Sequence, residues 1–219
     1  MQPSAPDQHR KGVIFRDLHT ADVPFVMPNP WDAGTARLLT QAGFAALATT
    51  SAGLSFGLGR PDGANLVSRA EALAHAKAVV ESTHLPVSAD LENGFGDAPE
   101  QVAETVRQAA ATGLVGCSIE DATGRPDDPV HPFAAAVERV AAAVEAARSL
   151  PFPFTLTARA ENFLHGRPDL DDTIRRLRAY EEVGADVLFA PGLPDLAAVR
   201  AVCSSVSRPV NVLASPAFS

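Results

Sequence analysis

The 219-residue sequence has only two cysteines, Cys117 and Cys203, far apart and each among apolar neighbours. That argues against a disulfide framework or a thiolate zinc site, and two buried, reduced thiols are the expectation. Long hydrophobic runs are missing as well. No stretch approaches the roughly 18 uninterrupted apolar residues a membrane span requires. The start, MQPSAPDQHRKG, carries no apolar core of the kind a secretory signal has. A cytoplasmic protein without a membrane partner is expected. Basic charge is the third shortage: 18 Lys and Arg stand against 26 Asp and Glu, a formal net charge of -8. With no Lys/Arg stripe to follow a phosphate backbone, nucleic acid is not an expected partner.

What is present is a regular rhythm. The 46% hydrophobic content is that of a globular protein with a real core. From about Phe25 onward, apolar runs of strand length alternate with longer amphipathic segments. The expected strands are Phe25 to Met27, Phe44 to Thr50, Val87 to Leu91, Val115 to Glu120, Phe154 to Arg159, Asp186 to Ala190 and Val210 to Ala214. Helical spacing is read over Arg69 to Ser82, Pro99 to Ala111, Phe133 to Leu150 and Leu170 to Val183, with Gly43, Gly113 and Gly184 as stop signals. Near-continuously apolar strands joined by helices predict a parallel sheet covered by helices.

Polar residues choose between a closed barrel and an open doubly wound sheet. Asn29, Thr50, Ser51, Asp90, Glu92, Glu120, Asp121, Arg159, Glu161 and Asn211 fall at or just after strand ends, spread over many strands as in a barrel. MPNPWDAG, after the first strand, is no glycine-rich phosphate turn. The expectation is one α/β domain over residues 1–219, a TIM (β/α)8-type barrel lacking its last βα unit and C-terminal helices. Residues 1–14 are expected as a flexible extension. Seven strands are counted, with Gly12 to Arg16 as the candidate for an additional early one.

The stretch ADLENGFGD, Ala89 to Asp97, places Asp90 and Glu92 two apart at a strand end. If the strand geometry persists, both point to one side. Glu120 and Asp121 end the next strand, about 4.8 Å away. Carboxylates so gathered raise one another's pKa or demand a cation. Oxygen donors without thiols suit Mg²⁺, with Mn²⁺ as a substitute; Asp90 would bind directly, with Glu92 and Glu120 holding waters. The alternative is that these acids cap helices or pair with Arg159. Arg159 itself either binds a substrate carboxylate through its two-pronged guanidinium or pairs with Glu120 or Glu161. Thr50, Ser51, Ala52 and Gly53 offer amides and hydroxyls to an anion.

In order, NPWDAGTARLL, TTSAGLSFGLGRPDG, SADLENGFGD, CSIED, TARAENF and PVNVLASP resemble the isocitrate lyase and phosphoenolpyruvate mutase superfamily, from about Phe15 to Ser219. The resemblance implies a Mg²⁺-dependent barrel enzyme that acts on a small carboxylate through a pyruvate-type enolate. It also implies a homo-oligomer where the full C-terminus is present. Asp90 matches the direct metal ligand and Glu92 the second carboxylate, one methylene longer than the usual Asp. Asp62 and Glu120 match acids that reach the metal through water, and Arg159 matches the substrate-binding arginine. Thr50, Ser51 and Ala52, with Gly53 beside them, match the carboxylate loop, and Trp31 an aromatic residue of the pocket; Asn211 joins the substrate-binding candidates. Asp62, Glu120 and Arg159 are the catalytic candidates.

The departures lie in the lid. Where isocitrate and methylisocitrate lyases carry Lys-Arg-Cys-Gly-His, this chain reads ATGRPDDPVHP, with no cysteine. The Lys and Asn of mutase lids are absent too, Arg125 being a partial substitute. Carbon-carbon cleavage in a small 2-oxo or 2-hydroxy acid is therefore the leading expectation. Carbon-phosphorus chemistry, or a truncated and inactive family member, is the alternative.

Overall fold

The computed structural model describes residues 5–214. Its elements in chain order are α1 (Ala5–Thr20), α2 (Ala33–Gln41), β1 (Leu47–Ala48), α3 (Ser51–Gly57), α4 (Arg69–Glu81), β2 (Val87–Asp90), α5 (Pro99–Ala111), β3 (Gly116–Glu120), α6 (Phe133–Arg148), β4 (Thr155–Arg159), α7 (Leu170–Glu182), β5 (Val187–Phe189), α8 (Leu196–Ser205) and β6 (Val210–Asn211). The strands pair in sequence order, all parallel. An open doubly wound sheet reverses its order at a switch point; this sheet does not. It curls instead, since one cavity of about 390 Å³ is lined by residues of all six strands. The architecture is a parallel six-stranded partial barrel of TIM type.

Strand alternation explains both faces of the sheet. Leu47, Val87, Ala89, Cys117, Ile119, Leu156, Ala158 and Leu188 join the buried cluster shared with the helices. The intervening positions, Ser88, Asp90, Ser118, Thr157 and Arg159, line the cavity. VSAD, CSIE and LTAR thus encode an apolar outer face and a polar, unfilled interior. Helix limits follow local chemistry. Ser68 and Glu71 form a capping box at the start of α4, and Gly113 and Gly184 take left-handed φ values of 96° and 102° after α5 and α7.

Several expectations are corrected. Phe25 to Met27 is not a strand: Pro28 O accepts from Ala48 N at 3.2 Å, but Pro24 and Pro28 lack N–H donors, so no ladder propagates. Among the described residues there are six strands, and Phe44 to Thr50 shortens to Leu47–Ala48. Gly12 to Arg16 lies inside α1 and is helical. The expected flexible extension is likewise helix from Ala5 onward; residues 1–4, with 215–219, lie outside the described residues. Phe15 of α1 is buried against Ala46 and Val115, and Gln8 Nε2 donates to the carbonyls of Ala110 and Leu114 at 2.8 and 2.9 Å. Helix α1 therefore closes the end of the barrel where the strands begin. Cys117 is buried as expected, whereas Cys203 is exposed on α8. Among the described residues no helix is long and apolar enough to cross a membrane.

Candidate active site

Strand register assembles the site. Glu120 pairs with Arg159, Arg159 with Phe189, and Phe189 with Asn211, so these four form one row at the C-terminal rim. Asp90 stands beside Ser118 in the row below. Arg159 is the hub: Nη1 lies 3.1 Å from Asp90, Nη2 3.2 Å from Glu120, and Nε donates to Glu161 at 2.8 Å. The guanidinium also lies over the Phe189 ring, 5.2 Å from its centroid. Pairing with Glu120 or Glu161, read from sequence as the alternative to ligand binding, is present with both, and Asp90 is added.

Ser51 completes the setting of Asp90, donating to Oδ2 from its hydroxyl at 2.8 Å and from its amide at 3.2 Å. Thr50 caps α3, its hydroxyl accepting from Gly53 N at 3.3 Å. A Cβ on Gly53 would come within 2.8 Å of the Trp31 indole, so glycine there is what lets Trp31 pack on the first turn of α3. Trp31 remains half exposed, 6.3 Å from Phe56. Ala52 sits in the same turn, and Asn211 faces the cavity with Asp90 and Arg159.

Glu92 reaches the site by a different route from the one expected. Strand β2 stops at Asp90, and Glu92 has φ of 47°, a left-handed turn that ends the alternation. The turn nevertheless buries its side chain beside Asp90, whose Oδ1 accepts from Glu92 N at 3.2 Å. The glycines that follow serve the protein rather than a ligand: added Cβ atoms would meet Val102 at Gly94 and Gln101 at Gly96. Asp97 belongs to the lid, pairing with Arg125 at 2.9 Å.

The charges do not balance. Burial pushes the Glu92 carboxyl up to about 7, with Asp90 and Asp62 adding repulsion. Partial desolvation and then Asp90 raise the solvent-exposed Asp62. Burial raises Glu120 well above the carboxylate range, Arg159 opposing and Glu161, Asp90 and Glu92 reinforcing. Asp90 is held low, because Arg159 and the Ser51 donors outweigh its burial. Burial opposes the charge on Arg159 too, yet Glu120, Asp90 and Glu161 hold its pKa well above the ordinary value. Asp90, Glu120 and Glu161 thus share one guanidinium, with Glu92 and Asp62 within electrostatic reach, an excess of negative charge on hard oxygen donors that fits a divalent cation. Among the described residues no three acids yet stand at metal-holding spacing, Arg159 lying between them.

Asp121, read from sequence among the converging carboxylates, is turned instead toward α7, and Arg139 was not singled out from sequence. Asp121, 1% exposed, accepts from Tyr180 Oη at 2.7 Å, Arg176 Nη1 at 3.0 Å and Glu161 N at 2.8 Å. Arg139, 2% exposed, donates to the carbonyls of Asn93, Gly96 and Asp97 and so holds the loop that carries Glu92. A signal existed for it: Arg139 lies on the buried stripe of α6 with Ala136, Val140 and Ala143, and a charge on such a stripe needs partners.

The comparisons agree with the parallel α/β architecture. The model of the phosphoenolpyruvate phosphomutase family matches residues 15–219. A crystal structure of a Burkholderia cenocepacia J2315 protein, provisionally assigned as a lyase/mutase, superposes with a TM-score of 0.94 at 60% identity, over 97% of this chain and 75% of that one. The 2-methylisocitrate lyase of Escherichia coli K12 is 30% identical over 209 residues, 92% of this chain and 69% of that protein. Phosphonopyruvate hydrolase, crystallised with oxalate and Mg²⁺, has a TM-score of 0.85 at 26% identity, over 93% of this chain and 71% of that one. With this match over nearly the whole chain, the protein belongs to the phosphoenolpyruvate phosphomutase family of enzymes, within the isocitrate lyase and phosphoenolpyruvate mutase superfamily.

Proposed function

We propose that the protein is a Mg²⁺-dependent lyase that cleaves a carbon-carbon bond in a small 2-oxo or 2-hydroxy carboxylic acid. The observation that carries this reading is the acid excess around Arg159 beside a cavity of mixed polar and apolar lining. Asp90 would hold the cation directly, with Glu92, Glu120 and Asp62 engaging it through water. When bound, the cation supplies positive charge to the substrate oxygen on which negative charge grows as the bond breaks. Mn²⁺ suits the same oxygen donors.

The protein's own residues bind and orient the substrate. Arg159 exchanges part of its carboxylate contacts for a substrate carboxylate, which its planar fork accepts through two hydrogen bonds. Ser51, whose amide and hydroxyl donate to Asp90, fixes that carboxylate beside the cavity, and Asn211 offers a neutral donor from the end of the row. Trp31 and Phe56 lie near each other on the α3 side, and Glu92, raised by burial to about 7, can hold a proton at near-neutral pH. The lid at 123–132 presents no cysteine, which favours substrates smaller than isocitrates.

Carbon-phosphorus cleavage is the second reading, supported by the likeness to phosphonopyruvate hydrolase. Pyruvate release from oxaloacetate, 2-hydroxy tricarboxylates and phosphonopyruvate, with and without Mg²⁺, tests both. Metal-dependent release from a carbon-carbon substrate is expected. Turnover of phosphonopyruvate alone would select the second reading, and metal-independent or absent turnover of all three would overturn both.

A further inference from the structure

We infer that Asp121 is a positioning residue that ties the lid and the substrate arginine to one buried node. Its partners come from three directions. From α7, Tyr180 Oη and Arg176 Nη1 donate to Oδ2 at 2.7 and 3.0 Å. From the turn after β4, Glu161 N donates to Oδ1 at 2.8 Å, and the Glu161 side chain in turn accepts from Arg159 Nε. From the returning end of the lid, His131 N donates to Asp121 O at 2.8 Å, while Arg176 Nη1 also donates to His131 O at 3.0 Å. Asp121 N donates to Arg159 O at 3.2 Å, closing the circuit on the substrate arginine.

The lid is bound at its base by the same node. An antiparallel bridge joins Ala122 to Val130, and Thr123 N donates to Pro129 O at 2.9 Å. Beyond that base the loop holds on through exposed pairs, Arg125 with Asp97 and Arg167 with Asp128, which water and salt weaken. The firm end of the lid therefore rests on Asp121, as does the turn that presents Glu161 to Arg159. Because side-chain placement at a binding site is only as good as the shell that supports it, Asp121 sets both the lid base and the aim of the guanidinium. Its backbone carbonyl takes the His131 amide directly, while its carboxylate reaches the lid base through Arg176 and the guanidinium through Glu161. Asp121 touches no substrate in this scheme. Its influence on binding passes through Glu161 and Arg159, so that part rests on the proposed role of Arg159.

Tyr180→Phe removes one hydroxyl and leaves Asp121 two side-chain donors, a change the fold is expected to tolerate; Asp121→Asn is the stronger variant. Two readouts are made on folded protein. Limited V8 protease digestion in phosphate buffer, without ligand, compares cleavage after Asp127, in the lid, with cleavage after Glu104, in α5. Calorimetry with Mg²⁺ measures oxalate affinity. In both variants the Asp127 to Glu104 cleavage ratio is expected to rise about fivefold or more and oxalate binding to weaken about fivefold to tenfold. In turnover, KM should rise more than kcat falls. Wild-type cleavage ratios in both variants would overturn the inference, whatever the ligand result. Unchanged oxalate affinity in variants of a wild type that binds would overturn the link to Arg159. Failure of the wild type itself to bind oxalate would count against the proposed function, while the cleavage ratio still decides on the lid.

Discussion

Two arginine clusters sit side by side at the ends of β3 and β4, and they are built on opposite principles. Around Arg176, Asp121 and Asp172 are matched by the guanidinium, Tyr180, Asn162 and a backbone amide. Around Arg159, Asp90, Glu120 and Glu161 share one guanidinium beside a cavity, with Glu92 and Asp62 within electrostatic reach. In the balanced cluster Asp121 and Arg176 are buried, while Asp172 reaches the surface and takes Arg175 as a second cation, so the cluster completes itself. The unbalanced one carries repulsion that a proton on Glu92 eases and a bound cation would relieve. Charge excess, more than the number of charged residues, therefore separates the ligand site from the structural one.

The largest expected effect is on the unbalanced side. Asp90→Ala removes the proposed direct ligand, and Mg²⁺-dependent turnover should fall on the order of a thousandfold, checked by steady-state kinetics. On the balanced side, Arg176→Met leaves Asp121 buried without its cation and should cost about 3 to 5 kcal/mol of stability, measured by denaturant unfolding. The two clusters then part company in their response to metal. Arg159→Met should also destabilise metal-free protein, yet Mg²⁺ should restore much of its melting temperature and none of that of Arg176→Met. Equal rescue of both would erase the distinction. Glu92→Gln removes one unmatched charge and is expected to stabilise metal-free protein by about 1 kcal/mol while weakening Mg²⁺ binding roughly tenfold or more.

The smallest effect concerns the lid. Burial, with Arg139, pushes His131 down to about 4, against the pull of Asp97 and Asp128 and with Arg125 adding to the depression. The unfolded chain then binds a proton below about pH 6.5 that the folded one refuses until about pH 4. Stability from neutral His131 is complete above that window and falls as the pH drops through it. His131→Asn should flatten this part of the melting curve against pH, by on the order of 1 kcal/mol.

How much of this was legible differs element by element. The α/β rhythm and the limits of α5 and α7 were legible because apolar period and glycine stops act locally. The N-terminal helix was not: α1 is anchored mainly by Phe15 and the Gln8 side chain, too few contacts to imprint an apolar stripe on the sequence. Phe25 to Met27 is apolar like a strand, but its flanking prolines deny it a ladder. Asp90, Glu120 and Arg159 stood out as charges after apolar runs, and the structure brings them together. Glu92 was reached by the wrong geometry, since a non-glycine φ of 47° has no signature in DLEN. Asp121 and Arg176 resemble surface charges in one dimension, and only the packing of α7 against the strand ends shows them enclosed.

The most direct test of the claim that acid excess makes a cation site is a calorimetric Mg²⁺ titration of the wild type and Asp90→Ala. The account predicts one Mg²⁺ bound by the wild type, with oxalate binding dependent on it, and neither by the variant. No Mg²⁺ binding by the folded wild type, or equal binding by both proteins, would contradict it.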